Sequence, residues 1–379
     1  MFLSLKCSVT GEVKVPWSRV LSFNDPFLCQ TAVQGGKVEI LPTTRGAFRA
    51  ELTQIGMNRV WMQRFDLAQP LVSTVAANVD RKVIGFLADD GSPQLQHCGL
   101  EVAPHHMLVY GKDVLHQRSQ RAVQYATMSV PAVEFPTMCR TIIGREFLEG
   151  PNFSALSPDP SFMSRLVKLH KGVVQLAHDL PDVLLTPGVH RALENDLVHT
   201  LAHCFASGAG IESSAGDRRR KLIMRRFEEF LEANFDRPIY LAEICAAIGA
   251  AERTLRAACE EHLGMGPIRF LTLRRMHLVR ASLFRSDARE ASVTRIATDH
   301  GFCELGRFSV AYRTLFGETP SETLRRPAEL LAIHLNRPSL LPIDIAPGHP
   351  KQASAASGNG PSAKWRHAPL RSARCVTAD

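Results

Sequence analysis

The sequence predicts an α+β chain of several domains: an N-terminal antiparallel β-barrel or sandwich, a helical pair, and an all-α C-terminal part. Three observations predict this. From about Gly36 to Val133, short runs alternate apolar and polar residues with period two and are separated by Gly, Pro, Asn and Asp, as in half-buried strands joined by tight turns. From Phe162 onward, apolar residues recur every three to four positions, the period of a helix with one buried face. Beyond Arg218 a helical unit is used twice. With 379 residues, 45% hydrophobic and 22% charged, the chain has the composition of a globular protein of two or three domains.

Residues 1–30 carry no clear period, and Phe23–Gln30 (FNDPFLCQ) reads as an irregular lead-in. The strand-like runs are Phe48 to Leu52, Arg59 to Phe65, Lys82 to Leu87, Met107 to Tyr110 and Gln124 to Val130, a rhythm that favours an antiparallel sandwich or small barrel. If such a barrel holds a small molecule, its pocket should be mostly apolar, and Phe48, Trp61, Met62 and Phe86 are the candidate lining residues. Residues 134–159 rise in proline and glycine and read as a boundary, which places a first domain at 1–150.

Two helical runs follow, and together they give a helical pair over 160–206. Phe162, Leu166, Leu169, Val173, Leu176 and Leu180 share one face of the first; Leu193, Leu197, Thr200, Leu201 and Cys204 share one face of the second. His199 and His203 are spaced i, i+4 as in some zinc sites, but no acidic residue completes a ligand set, so a solvated or core role is the expectation. The small, polar stretch Ser207 to Gly216 reads as a flexible linker, taken as 207–217. The run Arg218, Arg219, Arg220, Lys221 then opens a helix reaching about Asn234, with Phe227, Phe230 and Leu231 on its packing face.

Ser292 precedes the run Val293, Ile296, Ala297 as an N-cap precedes a helix, and Gly301 allows the positive φ that a tight turn needs. A second helix starts near Glu304. It places Phe308, Ala311, Tyr312, Leu315 and Phe316 on one face and Arg307, Ser309, Arg313 and Thr314 on the other. Leu241, Ile244 and Gly249 match Val293, Ile296 and Gly301 at an offset of 52, and after a one-residue slip Leu255, Cys259, Leu263, Gly264 and Pro267 match Phe308, Tyr312, Phe316, Gly317 and Pro320. Between the copies, Ile268–Phe284 has the period of a long helix able to hold both units rigidly. Two short helices around a glycine turn make a helix-turn-helix, a motif whose second helix enters a DNA major groove.

Charge is placed to match. Residues 218–326 hold 20 Lys and Arg against 14 Asp and Glu, a net of +6 out of +8 for the whole chain, and 19 of those 20 are arginine. Arginine suits bidentate contacts to phosphate and guanine.

With these residues in view, the stretch from Arg218 to Arg326 resembles the DNA-binding domain of the AraC/XylS family of transcription regulators. IATDHGF, RFSVAYRTLFGETPSE and the closing Arg325 and Arg326 follow the family signature. The first unit follows it less closely, with Tyr240 and Ala251 where the family usually has Ser or Thr caps, so its helix starts are expected to be weaker. The resemblance implies a sequence-specific transcription regulator, an activator, that binds double-stranded DNA and is not an enzyme. By position it implies Arg253, Thr254, Arg256 and Ala257 of the first unit, and Glu304, Leu305, Arg307, Ser309 and Arg313 of the second, as the side chains that face DNA, with Gly249 and Gly301 in the turns. RNA polymerase, a small-molecule effector and a second copy of the chain are the further partners it admits. In the family, helices placed like the pair at 160–206 pack on the sensing domain and can form a dimer interface.

The region before them resembles the cupin-like sensing domains that precede such DNA-binding domains. Metal-dependent cupins bind metal through His and Glu, and Gly99 to Pro104 with His116 is similar to a worn second cupin motif. The first motif is missing, and His97, His105, His106 and His116 lack ligand spacing, so no metal or cofactor is expected. No GxSxG elbow supports a catalytic triad. The rival readings are a cupin-type metalloenzyme with an appended DNA-binding-like domain, and an adaptor that uses the same helices on polymerase or another protein.

Nine cysteines without CxxC spacing suit reduced thiols in a cytoplasm. No run of 18 apolar residues and no cleavage signature in MFLSLKCSVTGEVKVP is present, so membrane insertion and export are not expected. Residues 327–379, rich in Pro, Ser, Ala and Gly, read as a disordered tail.

Overall fold

The computed structural model describes residues 16–89, 95–111, 113–144, 155–211, 214–234 and 239–326. The expected tail at 327–379 lies outside them. In chain order the first elements are β1 (Trp17–Phe23), α1 (Pro26–Ala32), β2 (Gly36–Pro42), β3 (Ala50–Gly56), β4 (Trp61–Leu67), β5 (Leu71–Ala77) and β6 (Arg81–Leu87). Then come β7 (Leu95–His97), β8 (Leu100–Val102), β9 (Met107–Val109), β10 (Leu115–Ser119) and β11 (Val123–Pro131). Phe23–Gln30, expected to be an irregular lead-in, instead holds the end of β1 and most of α1. Asp25 caps α1 by accepting from Phe27 N at 2.8 Å, and Pro26 sits in its first turn, where a missing N–H costs nothing.

Among the described residues the strands form two antiparallel sheets. One runs β2-β5-β10-β7-β8. The other begins β1-β3-β4-β11-β6-β9 and continues into β12 (Ala155–Ser157) and β13 (Ala209–Gly210). The inner faces of both sheets close on one apolar cluster that includes Leu21, Ile40, Leu52, Phe65, Leu71 and Val123.

Residues 134–159, expected to be a boundary, carry α2 (Phe135–Ile143) as well as β12. Phe135, Met138 and Cys139 on one side of α2 are buried, so the helix adds to the core rather than interrupting it. The helical pair is α3 (Pro160–Asp179) and α5 (Pro187–Ser207), joined by the single turn α4 (Pro181–Leu184). Leu166, Val173, Leu197 and Leu201 pack with Met62, Ile84, Phe86 and Met128, so the pair covers the outer face of the larger sheet. Glu194 of α5 fixes it there: its Oε1 accepts from Arg59 N at 2.5 Å and Val60 N at 3.0 Å. His199 is exposed, and His203 stacks on Phe162 with ring centres 4.8 Å apart.

The expected linker at 207–217 is only partly one. Ala209 and Gly210 pair with β12, and Ser214 and Asp217 close a reciprocal capping box on α6 (Ala215–Ala233), so the helix starts three residues before Arg218. Two side chains, each accepting from the other residue's backbone N–H, make the helix start, and the composition of the stretch concealed it.

Candidate nucleic-acid interface and barrel cavity

Beyond α6 lie α7 (Leu241–Ile248), α8 (Glu252–Leu263), α9 (Pro267–Arg285), α10 (Val293–Asp299), α11 (Leu305–Phe316) and α12 (Pro320–Leu324). Gly249 ends α7 with φ 65°, and Gly301 lies between α10 and α11 with φ 81°, both in the left-handed region where a Cβ is disfavoured. α9 has 19 residues, which at 1.5 Å each makes a bar about 28 Å long. The first unit, α7 with α8, packs on one end of it through Ile244, Leu255, Cys259 and Phe270. The second, α10 with α11, packs on the other through Met276, Val279, Leu283, Ala297, Phe308 and Tyr312.

Caps do not separate the two units as expected. Tyr240 and Ala251 make no side-chain cap bond, but neither does Ser292 before α10 nor Glu304 before α11. The capped helix is α12, where Thr319 and Glu322 form a capping box. Tyr312 ties α11 to it, donating from its hydroxyl to Thr323 Oγ1 at 2.9 Å.

Of the sequence candidates in α8, Arg253, Arg256 and Ala257 are exposed and Thr254 is half-buried. In the second unit Glu304, Arg307, Ser309 and Arg313 are exposed and Leu305 is half-buried. The structure thus leaves Arg253, Arg256, Ala257, Glu304, Arg307, Ser309 and Arg313 at the surface, while Leu305 packs against the core of the second unit. Two arginines carry intrahelical partners that DNA would have to displace: Arg256 pairs with Glu252 at 2.9 Å and Arg307 with Glu304 at 3.0 Å. Arg253 and Arg313 have no ion pair among the described residues. Ser309 turns back to donate to Leu305 O at 2.9 Å. Ala311, expected on the packing face, is exposed, because the buried stripe narrows to Phe308 and Tyr312. Sequence reasoning missed Val310, 69% exposed on α11. An apolar residue on an otherwise polar helix face is the signal that could have found it, and such a side chain suits the methyl group of thymine.

The units also touch the barrel, in ways no local pattern announces. Arg280 of α9, its side chain 5% exposed, holds Asp25 Oδ2 at 2.7 Å and Glu318 Oε1 at 2.7 Å. Arg274 reaches Glu39 at 3.0 Å. Buried Glu228 of α6 lies 2.8 Å from His116 Nε2 of β10. Burial would raise the Glu228 carboxyl, but the hydrogen bond and charge of His116 outweigh it and hold it below the usual range. His116, half of the worn motif, is therefore spent on a contact between the barrel and α6. Burial pushes His97 down to about 3, so its imidazole is neutral. Among the described residues no group of three or more His, Cys, Asp or Glu is placed to hold a metal. No helix among them is long and apolar enough to cross a membrane.

Between the two sheets lies a cavity of about 590 Å³, counting its open mouth. Its walls come from Val33 to Gly36 after α1, from β2 and β5 on one side, and from β4, β6 and β11 on the other. None of Phe48, Trp61, Met62 and Phe86 lines it, which corrects the expected set. Met62 and Phe86 face the helical pair, Phe48 is buried in the inner cluster, and Trp61 lies beneath the Arg81 guanidinium at 3.9 Å. The lining residues on β4 are Gln63, Phe65 and Leu67, on the opposite face from Met62.

Residues 244–326 match the model of a helix-turn-helix domain. This stretch is an AraC/XylS-type helix-turn-helix domain. The chain is also similar to named regulators. The chain is 34% identical over 134 residues to the probable thc operon regulatory protein of Rhodococcus erythropolis, covering 33% of this chain and 40% of that one. It is 37% identical over 99 residues to the XylDLEGF operon transcriptional activator 2 of Pseudomonas putida, covering 26% and 63%. The chain thus spans about half the length of these relatives. A comparison with the crystal structure of the AraC-like transcriptional activator CuxR covers 69% of this chain and 95% of that one, at 17% identity and a TM-score of 0.37.

Proposed function

We propose that this chain is a sequence-specific transcription regulator, an activator, that uses α8 and α11 to read two adjacent major-groove segments of double-stranded DNA. The observation that carries the proposal is the pair of exposed, arginine-bearing helices fixed at the two ends of α9, each behind a glycine turn. Similarity to a named operon activator over 99 residues supports it. On this reading residues 218–326 are the DNA-binding part and residues 1–150 the regulatory part, whose cavity takes a small-molecule effector. The helical pair at 160–206 is where a second copy would dock, RNA polymerase is the partner through which activation acts, the chain catalyses no reaction, and it works in the cytoplasm.

Selection of bound sequences from random DNA by the full-length protein tests this directly. Enrichment of an asymmetric site of some 15–20 base pairs is expected, the length of two groove segments one turn apart with a few pairs at each end. Repeating the selection with candidate effectors measures regulation. Failure to enrich any sequence would contradict the proposal.

A further inference from the structure

The barrel cavity has an uneven lining. Val33, Val38, Leu67, Leu71, Val75 and Val83 supply apolar walls, and no Asp, Glu, Lys, Arg or His is among the lining residues. Gln34, Gln63, Ser73 and Thr127 add single polar side chains, and the one cluster of three is where Gln117 of β10 meets Tyr110 and Tyr125. A second polar group, Gln63, is already engaged: its Nε2 donates to Gln34 O at 2.8 Å, and its Oε1 accepts from Gln54 Nε2 at 2.6 Å and Gln34 N at 2.9 Å.

The tyrosine cluster holds one proton too many. The two hydroxyls lie 2.6 Å apart, and Gln117 Nε2 is 2.7 Å from Tyr110 Oη and 3.1 Å from Tyr125 Oη. One phenol proton closes the contact between the hydroxyls and one amide proton serves the pair, the hydroxyls lying too close together for the diverging second amide proton to reach them as well, which leaves the other phenol proton without an acceptor in the cluster. His97 Nδ1, 3.5 Å from the same amide nitrogen, competes only for amide protons. Burial raises both phenols well above their usual value, so they stay neutral donors at any physiological pH. The arrangement is built in: a Cβ on Gly85 would lie 1.7 Å from the Tyr125 hydroxyl, so glycine is needed for the pair to sit there.

A buried donor without an acceptor is costly, and so is a buried ion without a partner. The cavity offers a donor for an oxygen to accept from, and its lining residues offer an ion no opposite charge. We propose that it binds an uncharged, largely apolar molecule carrying one hydrogen-bond-accepting oxygen, with that oxygen at the Tyr110, Tyr125 and Gln117 cluster and the apolar body against the valine and leucine walls. This rests on the reading of the cavity as an effector site and adds the chemical class it selects.

Two matched sets of probes test it by calorimetry on the full-length protein: acetophenone, benzoate and ethylbenzene, and the two-ring set of 2-acetylnaphthalene, 2-naphthoate and 2-ethylnaphthalene. Each set keeps shape while exchanging a ketone for a carboxylate or for a hydrocarbon. In at least one set the ketone should bind about tenfold or more tighter than the carboxylate and several-fold tighter than the hydrocarbon. Val38→Trp, or Val75→Trp from the neighbouring strand, fills the cavity and should abolish binding in whichever variant keeps its fold. A carboxylate or hydrocarbon bound as tightly as its ketone, with binding lost in the tryptophan variant, would overturn the assigned class and leave the effector cavity standing. No binding in either set, or binding that survives the filled cavity, would overturn both.

Discussion

The first helix-turn-helix unit shares its core with the barrel, whereas the second largely closes over a core of its own. Leu41 of β2 and Val72 of β5 belong to the cluster that holds Ile244, Leu255 and Cys259, and the imidazoles of His116 and His262 meet across that junction with ring centres 6.1 Å apart. The second unit's cluster draws only on α9 to α12 and their connections. Its links to the barrel run through α9, where Arg280 holds Asp25 with one nitrogen and Glu318 with another, Ala281 and Phe284 join the barrel's inner cluster, and the Arg285 guanidinium lies over Phe27. One repeated unit has thus been packed in two ways, once against the barrel and once largely on residues of its own. A unit that packs on its own residues can vary its exposed face without disturbing anything else; a unit that packs on a neighbour cannot.

The largest effect should come from Tyr312→Ala. The side chain is fully buried, and its loss should cost about 3–5 kcal/mol, with the hydrogen bond to Thr323 lost as well. Native-state hydrogen exchange should show α10 to α12 losing protection while α6 to α8 keep theirs, since those helices lean on the barrel. Equal loss in both units would mean that the two cores are not separate.

A smaller and more pointed contrast comes from the glycines that end α8 and α11. Gly264 and Gly317 match in the repeat and both are left-handed, with φ 71° and 75°. A Cβ on Gly317 meets nothing within 4 Å, so Gly317→Ala should cost only the backbone term of roughly 1–2 kcal/mol. A Cβ on Gly264 would lie 2.0 Å from the Arg118 guanidinium, which donates to Gln96 Oε1 at 2.5 Å. Gly264→Ala should therefore cost about 1 kcal/mol more as that bond shifts. Denaturant midpoints of the two variants settle it, and equal values would remove the barrel contact from the comparison.

These contacts also mark what the sequence could and could not reveal. The second unit is legible because Phe308, Tyr312, Phe316 and Gly317 answer to each other within a few turns, so local period and turn chemistry suffice. The strands are legible for the same reason, but the faces of the barrel are not. On β4 a single step separates Met62, under the helical pair, from Gln63, in the cavity wall, and nothing in the alternation says which face is which. The same step on β6 puts Phe86 outside and leaves Gly85 beneath Tyr125. Asp25 and Arg280 are 255 residues apart, beyond any local pattern. Composition misled at the described parts of 134–159 and 207–217, where Pro136 and Ser214 serve as helix starts and Gly144 as a helix end rather than as loose chain.

On DNA the expected effects are finer. Arg307 lies in the first turn of α11, bound to Glu304, and Arg313 is six residues on without an ionic partner among the described residues. Arg307→Ala should lose about tenfold or more at one base pair and relax preference there, while Arg313→Ala should weaken all sequences alike and reduce the salt slope by about one. Affinities for the selected site and its single-base variants across salt distinguish these roles. Base preference unchanged in Arg307→Ala would withdraw its assignment as a reader.

Hydroxyl-radical footprinting of the full-length protein on its selected site is the most direct test of two reading heads on one bar. With α8 and α11 held at the ends of α9, the expected result is two protected segments on one face of the duplex, about one helical turn or roughly 34 Å apart, in an asymmetric site bound by one chain. A single protected segment per chain would contradict it and leave one helix-turn-helix unit as a structural joint only.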